Sequence, residues 1–435
     1  MADEPLAPPK HDHATLTFPE GFLWGSATSG HQVEGNNQNS DWWEWEQKKP
    51  KEFQSGEACD QYNRFGEDFD LLKNLGQNAH RLGIEWARIE PEEGVFDETE
   101  IEHYKKVLQA LKDRDIKVML TLNHFTMPLW LAKKGGWENF KSPKYFERFV
   151  KKVVPEIKDL VNLWITINEP GVLVYCSYIE AKWPPQKKSN LAVLKTTRNL
   201  IRAHKKAYKI IHQIIPDAKV GIAQNVQSFT AFHKHSLREQ LGVIVSDLTT
   251  NHLFYFFTKG YHDFLGINYY FHNRLQVDKG LFPSTVSVSS FNKEVSDLGW
   301  EIFPEGMFDV LTDLKDGLPI YITECGIATS NDDRRIRFVM QYLQEVYRAI
   351  QAGVKVKGFF YWSFLDNFEW ADGFSPRFGL VEVDYKTQKR TPRPSAYIYK
   401  DIIEHNGIRH ELMKFLGHRI HVTDVIDIPG IGVVK

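Results

Sequence analysis

The sequence Leu163-Trp-Ile-Thr-Ile-Asn168 is a short, nearly continuous apolar run that ends directly in Glu169-Pro170. Aromatic and β-branched side chains favour a β-strand. A strand that lacks regular polar alternation is typical of a parallel sheet that is covered on both faces. The run therefore predicts a buried parallel strand with a carboxylate at its polar end.

Seven further runs of this kind occur along the chain, and longer amphipathic, charged stretches lie between them. The strand-like runs are residues 22–28, 80–86, 118–124, 163–168, 220–226, 264–270, 320–324 and 356–363. The helix-like stretches include residues 68–75, 101–113, 143–159, 191–214, 334–353 and 396–404. In the first of these helices, the apolar residues that fall on one face are Phe69, Leu71, Leu72 and Leu75. Strands that alternate with helices indicate a parallel sheet with right-handed crossovers.

Eight such units within 435 residues predict an α/β fold, a (β/α)₈ TIM barrel with long βα loops. A doubly wound open sheet is the alternative, but no G-x-G-x-x-G motif follows the first predicted strand and the chain has no Walker motif. No low-complexity linker divides the sequence. We therefore expect a flexible tail over residues 1–16, one catalytic domain over residues 17–410, and a C-terminal extension of unassigned role over residues 411–435.

Composition and charge exclude several classes of protein. Hydrophobic residues make up 42% of the chain and charged residues 25%, which is ordinary for a globular protein. The formal net charge of −2 gives no electrostatic support for a nucleic-acid or membrane-surface partner. The three cysteines are far apart and lack a C-x-x-C spacing, and no run of 18 apolar residues occurs. Since the N-terminus also lacks the apolar core of a signal peptide, we expect a cytoplasmic protein.

The barrel prediction locates the active site, because in TIM barrels it lies at the C-terminal ends of the strands. Polar or aromatic side chains stand near almost every predicted strand end, and Arg81 lies near the start of the second strand. The candidates near strand ends are Gln32, His124, Asn168, Glu169, Asn268, Tyr270, Glu324, Trp362, Glu369 and Trp370.

Glu169 and Glu324 are the candidates with the clearest chemistry. If their strands lie across the barrel mouth, the two carboxylates face one cavity, and a carboxylate pair that flanks a sugar performs glycoside hydrolysis. Carboxyl groups about 5–5.5 Å apart give retention of configuration, and groups about 6.5–9.5 Å apart give inversion. One carboxyl must stay protonated and the other ionised, and Arg81 is a suitable cationic partner for the ionised group. A single strand-end glutamate is more often simply solvated, so the pair alone is only suggestive.

Two other features bear on the ligand. His124 has no second histidine at the spacing of a metal site, so we predict no metal and no cofactor. Glu369 stands beside Trp370, where an unpaired buried carboxylate would be costly, whereas sugar hydroxyls above an aromatic floor would satisfy it. Trp362 and Phe378 are either core residues or further parts of that floor.

The motifs together resemble those of the glycoside hydrolase family 1 β-glycosidases, over about residues 18–403. Phe22-Leu-Trp-Gly-Ser-Ala-Thr-Ser-Gly-His-Gln32 is similar to the N-terminal signature of the family. Thr166-Ile-Asn-Glu-Pro170 resembles its acid/base motif, and Ile322-Thr-Glu-Cys-Gly326 its nucleophile motif. Trp362 to Trp370, followed by Arg377-Phe-Gly-Leu380, resembles its sugar-binding segment.

The resemblance implies hydrolysis of terminal non-reducing β-D-glucosyl residues through a covalent glycosyl-enzyme, with galactosyl and fucosyl residues as further substrates. It implies Glu324 as nucleophile, Glu169 as general acid/base, and Arg81 and Tyr270 as hydrogen-bond partners of the nucleophile. The substrate-binding residues would be Gln32, His124, Asn168, Asn268, Trp362, Glu369, Trp370 and Phe378. The expected partner is a small β-glycoside or a short oligosaccharide, with no nucleic acid and no membrane. A weakly active or non-catalytic sugar-binding barrel and a transglycosylase are the alternatives.

Glu369 also stands where relatives that act on 6-phospho-sugars carry serine, so an unphosphorylated sugar is expected. The intact Glu169 favours O-glycosides, because thioglucosidase relatives carry glutamine there.

Three departures from the family pattern stand out. Cys325 replaces the asparagine that usually follows the nucleophile, and Phe125 replaces the usual tryptophan. The connection before the sixth predicted strand is shortened to residues 255–262. From this shortening we expect a loosely ordered face that admits an apolar ligand other than the substrate.

Overall fold

The computed structural model describes residues 16–276, 284–285, 294–315 and 317–416, with only the backbone for residues 284–285. Residues 1–15 of the predicted tail and residues 417–435 of the predicted extension lie outside the described residues. The proposed domain boundaries therefore stay predictions. Within the described chain, the predicted extension begins as a 3₁₀ helix, His410–Leu416, in which Leu412 and Leu416 are buried.

Eight parallel strands close into a barrel, which confirms the predicted fold. They follow one another around the barrel in the order β2, β3, β4, β5, β6, β7, β9 and β10, and β10 pairs with β2 to complete the ring. The strands are β2 (Leu23–Ala27), β3 (Ala79–Gly83), β4 (Lys117–Thr121), β5 (Leu163–Asn168), β6 (Val220–Ala231), β7 (Leu265–Gln276), β9 (Ile320–Cys325) and β10 (Val356–Trp362).

Short strands and the helices surround this barrel in the described residues. The remaining strands are β1 (Leu16–Thr17), β8 (Ser284–Thr285), β11 (Val381–Asp384), β12 (Lys389–Pro392) and β13 (Gly407–Ile408). The helices are α1 (Gly30–Val33), α2 (Asp41–Glu46), α3 (Gln61–Asn74), α4 (Trp86–Ile89), α5 (Glu98–Lys112), α6 (Leu129–Lys133), α7 (Ser142–Ile157), α8 (Pro170–Val174), α9 (Asn190–Ile214), α10 (Leu237–Asp247), α11 (Leu253–Phe257), α12 (Glu305–Asp313), α13 (Asp332–Gln351) and α14 (Pro394–Glu404). No helix in the described ranges has the length and apolarity that crossing a membrane requires.

The core has two layers because successive side chains of a strand point to opposite faces. In β5, Trp164 belongs to the large cluster between the strands and the outer helices. Leu163 and Ile165 belong to a smaller cluster with Met119 and Phe360, which fills the barrel interior. The rigid wall formed by these layers fixes the positions of the strand ends.

The connection between β6 and β7 consists of several helical segments. It contains α10, a π-helical turn (Leu248–His252) and α11. Strands β6 and β7 remain paired up to Ala231 and Leu275. Leu237 and Phe256 are 85% and 73% exposed, so apolar side chains do lie at this surface. The Asn251 side chain nevertheless anchors the connection by two hydrogen bonds to the backbone of Gln227, at 2.9 and 2.8 Å. Loose order and an apolar ligand at this face stay predictions.

Candidate active site

Glu324 lies near the end of β9, where two donors hold its two carboxylate oxygens. Arg81 Nη1 donates to Oε1 at 2.5 Å from β3, and the Tyr270 hydroxyl donates to Oε2 at 2.8 Å from β7. Arg81 and Glu324 are only 1% and 4% exposed. The predicted partners of the nucleophile candidate are therefore brought together from three separate strands.

Opposing effects act on the pKa of Glu324. Burial raises the pKa above its usual value, and the Arg81 guanidinium, the Tyr270 hydroxyl and the Asn268 amide each lower it part of the way back. These three donors stabilise the ionised carboxylate, which is the form that a nucleophile requires. Because the Arg81 guanidinium is positively charged, Glu324 is the member of the Glu169–Glu324 pair that ionises first as the pH rises.

Glu169 directly follows β5 and adopts a left-handed backbone conformation, with φ of 41°. Its hydrogen-bond donors are neutral amides: Asn268 Nδ2 and Asn225 Nδ2 donate to Oε1 at 2.9 and 3.3 Å. The same Asn268 nitrogen also donates to Asn168 Oδ1 at 3.2 Å, and the Asn268 amide lowers the pKa of Glu324 as well.

The pKa of Glu169 is raised to about 8. Burial is the largest cause, and the negative charge of Glu324 is the second. The raised pKa favours the protonated form of Glu169 at neutral pH, whereas the Arg81 guanidinium and the Tyr270 hydroxyl favour the charged form of Glu324. The two glutamates therefore lie in environments that favour different protonation states.

A network of amides and a histidine extends from Arg81 along the cavity. Arg81 Nη2 donates to Asn168 Oδ1 at 2.6 Å, and Asn168 Nδ2 contacts His124 Nε2 at 3.2 Å. Burial and the nearby Arg81 charge lower the pKa of His124 well below its usual value, so the ring is neutral. Its Nδ1 is buried without a hydrogen-bond partner among the described residues. Because Nε2 accepts from Asn168, Nδ1 carries a proton that a ligand can use.

Gln32 and Glu369 form a second polar group, in addition to the network that contains Arg81. Gln32 Nε2 donates to Glu369 Oε2 at 3.3 Å and to the Phe368 carbonyl at 2.9 Å. Burial raises the pKa of Glu369 well above its usual value, with further contributions from Glu324, Asp372 and Glu169, while a hydrogen bond from Trp362 lowers it. The structure therefore brings Glu369 and Gln32 together near Glu324 and Glu169.

Stacked rings form one wall beside these polar groups. The Trp370 ring lies nearly parallel to the rings of His31 and His124, with centroids 5.6 and 6.0 Å apart, and Trp362 stacks on His124 at 6.0 Å. Phe378 belongs to a different ring group, with Tyr270 and Trp300, at 6.3 and 6.1 Å. Phe378 also belongs to the small buried cluster that contains Trp362, and its role in the sugar-binding floor stays a prediction.

The two departures within the family motifs lie in different environments. Cys325 is fully buried in the apolar cluster between strands and helices, and burial raises the pKa of its thiol, so it stays neutral. Phe125 packs edge-on against Trp183 and Trp370, at 4.9 and 5.2 Å. Only the Phe125 departure therefore borders the stacked rings of the cavity.

Asn225 is a site residue that the sequence analysis did not identify. It lies in β6, the barrel strand that supplied no candidate, and it donates directly to Glu169. Its signal was present as the polar pair Gln224-Asn225 within an otherwise small and apolar run. Gln227 Nε2 donates to Asn225 Oδ1 at 2.8 Å, which orients the Asn225 amide nitrogen toward Glu169.

Known proteins share this architecture over nearly the whole chain. The model of glycosyl hydrolase family 1 matches residues 14–241 and 233–408. The 1,4-beta-D-glucan glucohydrolase of Thermotoga neapolitana is 32% identical, over 90% of this chain and 99% of that protein. The structure of a beta-glycosidase from Pyrococcus horikoshii is 38% identical with a TM-score of 0.87, and covers 93% of this chain and 99% of its own.

A third similar structure is a beta-glucosidase from Thermotoga maritima in complex with glucoimidazole. It is 30% identical with a TM-score of 0.85, over 90% of this chain and 100% of its own. The family model covers both predicted catalytic motifs, and the matches extend over the complete barrel. The chain therefore belongs to glycosyl hydrolase family 1 and is a β-glycosidase, from a family that retains configuration at the anomeric carbon.

Proposed function

We propose that this protein hydrolyses terminal non-reducing β-D-glucosyl residues, with Glu324 as nucleophile and Glu169 as general acid/base. One observation carries the proposal: Glu324 is held by Arg81 and Tyr270, while Glu169, whose pKa is raised to about 8, is held by amides. This asymmetry supplies an anion and an acid in the same cavity. Retention of configuration is a general property of the family to which the chain belongs.

In the first step, Glu324 attacks the anomeric carbon and the glycosidic bond breaks. Glu169 gives its proton to the departing oxygen, so the aglycone leaves as an alcohol. In the second step, the now ionised Glu169 takes a proton from water, and the water oxygen displaces Glu324 from the anomeric carbon. Two inversions restore the β configuration, Glu324 is again a carboxylate, and Glu169 again carries its proton.

The remaining polar groups are assigned to the sugar hydroxyls. Asn168 is placed near the 2-hydroxyl, where contacts strengthen in the transition state. The free Nδ1 proton of His124 is a donor, and Gln32 and Glu369 supply an amide and a carboxyl for adjacent hydroxyls. Trp362 and Trp370 supply the stacking surface. The negative charge of the Glu324 carboxylate disfavours a phosphate dianion in this pocket, which supports an unphosphorylated sugar.

The proposal is tested with an aryl β-D-glucoside and its galactoside and fucoside analogues. We expect the wild-type protein to hydrolyse the glucoside, and Glu324→Ala and Glu169→Ala to lose most of that rate. Glu345→Gln is the control, since Glu345 is a buried carboxyl on α13, outside the barrel. An inactive wild-type protein, or a Glu324→Ala variant with full activity, would show that the assignment is wrong.

The proposed chemistry uses only side chains and water, and it requires no metal or cofactor. Dialysis against a chelator should therefore leave kcat and KM for the aryl glucoside unchanged. A loss of kcat that added Zn²⁺ or Mg²⁺ restores would contradict this.

We also propose a cytoplasmic location. The support is that Cys59 and Cys325 are fully buried free thiols, a state that a reducing compartment preserves. Thiol titration of freshly purified, denatured protein should find three free cysteines per chain. A smaller number would contradict the proposal.

A further inference from the structure

Three side chains with metal-binding atoms converge on the outer side of the barrel, away from the catalytic residues. The ligand atoms of Asp247, His252 and Asp313 all lie within 4.8 Å of one another. His252 Nε2 lies 2.6 Å from Asp313 Oδ2 and 3.3 Å from Asp247 Oδ2. The three side chains are between 31% and 48% exposed, so an ion from solvent can reach them.

The cluster joins two separate parts of the chain. Asp247 ends α10 and His252 ends the π-helical turn, both in the connection between β6 and β7. Asp313 ends α12, which precedes β9. An ion bound here would therefore fix the shortened connection to a neighbouring helix.

The spacing of these atoms suits a transition metal. Zinc–nitrogen and zinc–oxygen bonds of about 2.0–2.2 Å place neighbouring ligand atoms of a tetrahedral site about 3.4 Å apart. The 3.3 Å separation of His252 and Asp247 already meets this distance, and the 2.6 Å separation of His252 and Asp313 requires a movement of about 1 Å. An imidazole nitrogen among the ligands favours zinc and its neighbours over magnesium and calcium, which prefer oxygen alone.

The carboxylate of Asp247 is also held in position by a second residue. Asn251 Nδ2 donates to Asp247 Oδ1 at 2.7 Å, so the Oδ2 atom is the one that faces His252. The Asn251 amide is itself fixed by both of its hydrogen bonds to the Gln227 backbone in β6. Support of this kind from residues behind the ligands is typical of metal sites.

We propose that Asp247, His252 and Asp313 form a binding site for a divalent transition-metal ion, with water completing the coordination. The ion binds His252 through Nε2, the atom that faces both aspartates. The ion is structural, because its ligands lie outside the cavity of the two catalytic glutamates.

The test uses chelator-treated, full-length protein without a polyhistidine tag. His11→Ala/His13→Ala forms the background for every sample, which removes the imidazoles of the His11-Asp-His13 sequence as alternative zinc ligands. We expect calorimetry with ZnCl₂ to show one site per chain at micromolar Zn²⁺, and CoCl₂ to give visible absorption of a low-symmetry site. His252→Ala and Asp313→Asn should each abolish the site.

His212→Ala is the matched control. His212 Nε2 pairs with a single carboxylate, Asp263 Oδ2 at 2.9 Å, so its removal should leave Zn²⁺ binding unchanged. Zn²⁺ should also slow proteolysis within residues 232–262 in the background protein but not in His252→Ala. The proposal is overturned if the background protein binds no Zn²⁺ at micromolar concentration, or if binding survives both His252→Ala and Asp313→Asn. Such a result would identify His252 as an ordinary ion-pair partner of the two aspartates.

Discussion

The ends of β5 and β9 carry the same side chain in two different environments. Glu324 of β9 receives its hydrogen bonds from a guanidinium and a phenol, whereas Glu169 after β5 receives them from two amides. Both are at least 94% buried, so burial alone would raise both pKa values. We infer that the partners, rather than the residue type or the depth, distinguish the proposed acid from the proposed nucleophile.

The largest effect is expected from Glu324→Ala. Removal of the nucleophile prevents the glycosyl-enzyme from forming, and we expect kcat to fall by on the order of 10⁵-fold, as for other residues that act as a catalytic unit. Azide added to this variant should restore turnover of an aryl glucoside and give the α-glucosyl azide, because one displacement inverts the configuration. A β-glucosyl azide would contradict the assignment of Glu324.

A smaller and substrate-dependent effect is expected from Glu169→Ala. General acid catalysis contributes about 10²- to 10⁴-fold, so a glucoside with an alkyl aglycone should lose rate in this range. A dinitrophenyl glucoside needs no proton on its leaving group, and its first step should be almost unaffected. Pre-steady-state measurement of phenol release separates the two steps. An equal loss of rate for both substrates would show that Glu169 is not the general acid.

Tyr270→Phe removes one of the two donors that distinguish Glu324 from Glu169, and it leaves both carboxyl groups in place. A hydrogen bond to a charged group contributes about 1.5–3 kcal/mol, so kcat/KM should fall by about 10- to 100-fold. The loss of a donor also raises the pKa of Glu324, which moves the acid limb of the pH profile to higher pH. Tyr269→Phe is the control, because the Tyr269 hydroxyl donates to the Phe303 carbonyl instead. An acid limb that shifts in both variants would indicate a general structural effect.

The sequence predicted the positions of the strands and of the strand-end residues more fully than it predicted their contacts. The boundaries of β5 were predicted correctly, and Arg81, Tyr270 and Glu324 meet as expected. Strand ends of a closed barrel must converge, so residue type and position were sufficient there.

Contacts that depend on side-chain direction were less accessible to sequence analysis. Asn225 was missed because a polar residue within a strand gives no sign of the face toward which it points. The predicted strand 80–86 was too long, because the chain leaves β3 after Gly83 and Trp86 begins α4.

The smallest effect is expected from Asn225→Ala. The 3.3 Å hydrogen bond from Asn225 stabilises the ionised form of Glu169, and its loss should raise the pKa of Glu169 by less than about one unit. The alkaline limb should move to higher pH, with a loss in kcat/KM below about tenfold. Asn199→Ala is the control, since the Asn199 amide donates to the carbonyls of Trp137 and Asn139. An alkaline limb that moves to lower pH would contradict this role of Asn225.

The pH dependence of kcat/KM tests the central claim most directly, because that claim concerns which carboxyl carries the proton. For wild-type protein and an aryl β-glucoside we predict a bell-shaped profile. Protonation of Glu324 causes the acid limb, and loss of the Glu169 proton causes an alkaline limb near pH 8. In Glu169→Ala, with a dinitrophenyl glucoside, the alkaline limb should disappear while the acid limb remains. An alkaline limb that persists at the same pH in this variant would contradict the account.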